Sequence, residues 1–171
     1  MKKQPCNHSF ILSPGNWYGE GRIVLNMVEE ELIFSTNWAV QLKDLAGRIP
    51  CCQQIQIQGL ADAMSNQLTF SDFKGNAFTV EMENPNIGRI VGTGIFDDQS
   101  IAWEFRNNDA QFEGYETYLL QPDGSYLMRG EYMTSDQFRT QIEALVWQQS
   151  GEVPSSDGTQ ENEGPEGEED L

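Results

Sequence analysis

Gly15-Asn16-Trp17-Tyr18-Gly19-Glu20-Gly21-Arg22-Ile23-Val24-Leu25 follows the turn-forming pair Ser13-Pro14 and places two glycines inside a strand-like run. Glycine weakens a strand interior and marks a bulge or a sharp bend there. Closing a sheet on itself needs such bends. Gly59, Gly92, Gly94, Gly114 and Gly130 recur in the same way inside other strand-like segments. The run therefore reads as the first strand of a small closed barrel.

The segments that follow alternate with period two, the pattern of a half-buried antiparallel strand. In Glu31–Leu42, Leu32, Phe34, Thr36, Trp38, Val40 and Leu42 share one face. Cys52–Leu60 turns Ile55 and Ile57 inward, and Asn66–Phe73 offers Leu68 and Phe70. Ala77–Glu83 sets Phe78, Val80 and Met82 against Thr79, Glu81 and Glu83. Arg89–Phe96 is a strand bent by its glycines, and Ile101, Trp103 and Phe105 line one face of the next. Gln111–Gln121 and Ser125–Met133 flank Pro122-Asp123-Gly124, a tight-turn signal for a hairpin. Lys43–Pro50 fits a short helical turn or a loop. Gln137–Trp147 reads as the last strand, with a helix as the alternative because Phe138, Ile142 and Leu145 lie about one turn apart. The face of the strands in 111–147 that points inward is left open. About ten strands with hairpin-length links give an all-β, antiparallel up-and-down β-barrel. Residues 1–14 form an N-terminal arm, 15–149 the barrel, and 150–171 a disordered acidic C-terminal tail, too poor in apolar residues to bury itself.

Ten Lys and Arg stand against 27 Asp and Glu, a net charge of −17. Phosphates would be repelled, which excludes nucleic acid as a partner, and an anionic membrane surface is excluded on the same ground. Residues 150–171 hold eight of the acids and no base, leaving 19 acids against 10 bases elsewhere. Cys6, Cys51 and Cys52 are odd in number, and the adjacent pair would bridge only with strain. Free thiols in a reducing compartment follow. No leader-like apolar run follows Lys2-Lys3, and no stretch approaches the roughly 18 apolar residues of a membrane helix. A soluble, cytoplasmic protein is the expectation.

Gly15-Asn16-Trp17 at the head of such a strand series resembles the calycin superfamily: lipocalins, fatty-acid-binding proteins and the nitrobindin-type barrels. That resemblance implies a barrel floor closed by Trp17, under an arginine from the last strands, here Arg129 or Arg139. It implies a small-molecule pocket. Nitrobindin-type barrels hold haem through a late-strand histidine; the single histidine here is His8, so haem does not carry over and no cofactor is expected.

The same scarcity of histidine argues against catalysis. A Ser-His-Asp or Cys-His arrangement would need His8, on an expected surface arm, to reach a nucleophile. Cys6-Asn7-His8 supplies too few ligands for zinc. Gly19-Glu20-Gly21 lies in a strand with no helix after it, so it is no phosphate loop. Two of Glu104, Glu113, Glu116, Glu131 and Glu143 would have to meet across a barrel mouth to form a hydrolase pair, whereas strand glutamates usually face solvent. The soft, aromatic inward set points instead to non-catalytic binding of a small hydrophobic or amphipathic ligand. Phe34, Trp38, Phe78, Trp103 and Phe105 are the expected lining, with Tyr118, Tyr126 and Arg129 as polar handles able to hold a carboxylate. The alternative is a protein-interaction module whose residues 150–171 contact a basic partner.

Overall fold

The computed structural model describes residues 8–150. Ten strands follow one another in chain order: β1 (Gly15–Leu25), β2 (Leu32–Val40), β3 (Ile49–Ile57), β4 (Met64–Lys74), β5 (Ala77–Asn84), β6 (Gly88–Phe96), β7 (Ser100–Phe105), β8 (Glu113–Leu120), β9 (Tyr126–Met133) and β10 (Arg139–Gln148). Each pairs antiparallel with its neighbours in sequence, and β1 closes the circle on β10, from Trp17 opposite Gln148 to Leu25 opposite Thr140. This is the closed up-and-down barrel that the glycines and the alternation predict. Residues 43–48 are a turn, and Ile49 and Pro50 already belong to β3. The final segment is a strand, not a helix: Ile142, Ala144 and Val146 turn inward while Leu145 is exposed. The expected tail, residues 150–171, lies outside the described residues beyond Ser150.

Closure relies on places where inner faces approach too closely for a side chain. At Gly94 a Cβ would fall 2.2 Å from two ring carbons of Phe78, its cross-strand partner, so the aromatic ring lies directly over the glycine. At Gly21 it would fall 2.1 Å from the carbonyl oxygen of Glu143 on β10. β4 adds a bulge between Ser71 and Lys74, where Asp72 takes a φ of 53°. A bulge of this kind bends its strand and raises the local twist.

The two ends of the barrel differ. At the end where β1 begins, residues 9–13 form a turn that closes the floor. Phe10 and Ile11 are completely buried, and Phe10 packs against Trp17, Trp38, Tyr118 and Tyr126 with ring centroids 4.7–5.5 Å apart. Such aromatic groupings add stabilisation beyond the area they bury. Ile11 holds a φ of 56°, which a β-branched residue avoids, and its burial offsets that strain. His8 is buried too, which corrects the expectation of a surface arm. Its Nε2–H donates to the Asp97 carbonyl at 2.6 Å, leaving Nδ1 to accept the Tyr126 hydroxyl at 2.8 Å. The lone histidine is thus a structural latch between the N-terminal segment, the β6–β7 turn and β9.

Candidate functional site

The half of the barrel near the floor is filled by Phe10, Phe70, Phe78 and Val80, all nearly or wholly inaccessible. The other half is open. A cavity of about 630 Å³ extends from Trp38, Trp103 and Tyr118 up to a mouth framed by Asp62–Ser65, Asn84–Ile87 and Phe112. Its walls are mostly apolar, with Phe34, Leu68, Met82, Met128, Ile142 and Ala144 on strands around the circle. The volume falls within the range that takes a drug-sized molecule.

Two polar groups interrupt these walls. The first centres on Glu116 of β8, only 8% exposed. Tyr118 donates to its carboxylate at 2.9 Å, and Tyr132 lies near enough to interact with the same carboxyl. Burial pushes the Glu116 carboxyl above its ordinary range, and the two tyrosine hydroxyls only partly oppose that. Burial, reinforced by the charge of Glu116, also pushes both tyrosines well up, so they remain donors. The second is a relay of amides. Asn84 donates to Asn66 at 3.0 Å, Asn66 to Gln53 at 3.1 Å, and Gln53 to Thr36 at 3.2 Å. It runs from the mouth to mid-barrel, and each member satisfies the next, as buried polar groups require.

Of the residues expected to form the site, Phe34, Trp38, Trp103 and Tyr118 come together around the cavity. Phe78 does not; it stacks with Phe73 and Phe96 at the floor. Phe105 is fully buried beside Gly92. Tyr126 belongs to the floor with His8 and Phe10. Arg129 stands on the outer face, 66% exposed and 3.7 Å from Glu143. Arg139 is also outside, bonded to Glu131 at 2.6 Å, so neither arginine lies over Trp17. The indole N–H groups of Trp17 and Trp38 are buried without a hydrogen-bond partner among the described residues.

Glutamates do not pair. Glu104, Glu131 and Glu143 form ion pairs with arginines on the outer surface, and Glu113 is exposed there. Among the described glutamates, Glu116 alone is buried on the barrel's inner wall. Residues overlooked as site members, Glu116 and Tyr132, carried a usable signal. Glu116 is two residues from Tyr118, and Tyr132 is in step with Tyr126 and Met128, so each shares an inward face with its neighbour. Arg129 is out of step with both.

Cys51 and Cys52 are free thiols. Burial pushes the Cys51 thiol up to about 12, which keeps it protonated and unreactive. Among the described residues no three His, Cys, Asp or Glu side chains gather to hold a metal, and no helix is long and apolar enough to cross a membrane.

The chain matches no protein-family profile and no curated protein sequence. Among solved structures, one that aligns is a crystal structure from Nitrosomonas europaea provisionally described as an AttH, with a TM-score of 0.35 and 10% identity. The alignment covers 82% of this chain and 52% of the other, so the chain spans about half that structure's length. A likeness of that size bears on neither mechanism nor ligand.

Proposed function

We propose that this barrel binds a small hydrophobic or amphipathic molecule in its open half and performs no chemistry on it. The supporting observation is the contrast between the two halves. Side chains fill the floor, whereas the mouth half keeps about 630 Å³ free behind apolar walls. Protein interiors are otherwise close-packed, so a void of this size in a well-packed barrel is a built feature. The side chains best suited to nucleophilic chemistry are engaged elsewhere: His8 in the floor, Cys51 as a buried thiol.

Native mass spectrometry of the protein from its own source, followed by denaturation, tests this reading. A stoichiometric small molecule is expected, and it should be lost from Ile142→Trp, which fills the cavity from the wall of β10. Retention of the same molecule by a folded Ile142→Trp would place it elsewhere and end the proposal.

A second proposal concerns residues 150–171, whose eight acids and no base favour contact with a basic partner. Deleting them should weaken such a contact and remove its salt dependence, while leaving the cavity's ligand in place.

A further inference from the structure

Among the described residues, the lining of the cavity contains two acidic side chains, Glu116 within and Asp62 at the rim, and no Lys, Arg or His. That absence reverses the chemistry expected from a tyrosine-and-arginine site, because Arg129 points outward. Glu116 is more than nine-tenths buried, and its partners among the described residues are neutral hydroxyls. Buried carboxylates are ordinarily matched by a cation. Trp38, Trp103 and Tyr118 line the same space, with Trp103 and Tyr118 stacked at 5.0 Å. Aromatic faces attract cations, most strongly where water is excluded.

We propose, building on the binding reading above, that the cavity takes an organic ammonium ion: an amine on an apolar body, its nitrogen against the Glu116 carboxylate and its body among Phe34, Leu68, Met82 and Met128. The ligand supplies the positive charge that the barrel withholds. A carboxylate ligand would meet Glu116 as a like charge with no arginine to hold it. A neutral ligand would leave Glu116 without a counter-ion. The amide relay from Thr36 to Asn84 lies on another wall and offers hydrogen bonds to a second polar group on the same molecule.

The test uses the full-length chain at neutral pH in moderate salt, with binding read by calorimetry and tryptophan fluorescence. Probes are decylamine, decanol and decanoate, and the same three head groups on a naphthylethyl body. The amine of at least one body should bind roughly tenfold or more tighter than its alcohol and its acid. Glu116→Gln, nearly the same in shape, should remove that preference while keeping the alcohol's affinity. Alcohol or acid binding as tightly as amine overturns the ammonium assignment but leaves the binding reading standing. An amine preference that survives Glu116→Gln comes from the acidic surface and also overturns it. Failure of all six probes to bind defeats both readings together.

Discussion

His8 Nδ1 lies 2.8 Å from the hydroxyl of Tyr126, a residue 118 positions further along the chain. With the second ring nitrogen on the Asp97 carbonyl, this contact fastens the N-terminal segment across the barrel floor. A typical intramolecular hydrogen bond contributes about 0.5–1.5 kcal/mol net, and His8→Ala removes two. His8→Ala should therefore lower the melting temperature by several degrees, since each kcal/mol shifts a domain of this size by roughly 2–4 °C. Phe10→Ala, which empties the floor's centre, should cost more, about 3–5 kcal/mol. Thermal and urea unfolding of both variants measure this. An unchanged midpoint for His8→Ala would show that the latch does not hold the floor.

Glu116 makes stability depend on pH in a direction opposite to the surface acids. Its folded-state pKa is raised above the ordinary 4.5, mainly by burial. The folded protein therefore holds its proton more tightly than the unfolded chain does. Its favourable contribution is complete below the ordinary value and is lost as pH rises through the raised one. Surface acids such as Glu81 and Glu131, lowered by hydrogen bonds from arginine, behave inversely and lose their contribution as pH falls. Subtracting the stability profile of Glu116→Gln from that of the parent isolates the buried group. The parent should lose ground against the variant as pH rises from about 4.5. A flat difference would mean that Glu116 titrates as though exposed.

Gly94 and Phe78 act as one unit. Gly94→Ala drives a methyl to within 2.2 Å of the Phe78 ring, and overpacking of this kind costs about 1–3 kcal/mol. In a Phe78→Ala background the same change should cost little, because the obstructing ring is gone. Equilibrium unfolding of the two single variants and the double gives the coupling directly. Additive losses would show that Gly94 is needed for its backbone and not for the ring above it.

Arg129 offers a control outside the barrel. Its ion pair with Glu143 is exposed at 3.7 Å, a kind of contact that contributes between about zero and 1 kcal/mol. Arg129→Ala should leave both stability and decylamine affinity nearly unchanged. A large loss of amine affinity in this variant would bring the outer face into the binding site.

Period-two alternation was enough to place the strands and to pair Phe34 with Trp38 on one inner face, and the glycines inside strands foretold closure. The alternation also held Glu116 on the face of Tyr118, and it separated Tyr126 from Arg129. Choosing which of the two faces of β8 and β9 is inside is a single binary decision for each strand. With both faces carrying apolar residues, such as Leu119 and Leu127 on the outside, local pattern left it undecided.

Depth along the barrel was never in the sequence. Phe78 and Met82 share a face of β5, yet one is packed into the floor and the other borders the cavity. That difference arises from the register of ten strands around a closed circle, fixed by pairings as distant as Trp17 with Gln148. The burial of His8 likewise depends on Asp97 and Tyr126, which reach it only once the barrel has closed. The sequence by itself determined most of the strands, which residues share a face and the bends that close them, because these follow from local alternation and from residues without side chains. Only the tertiary structure decided which inward residues fill the floor and which border an empty mouth, because that is set by contacts between strands far apart in the chain.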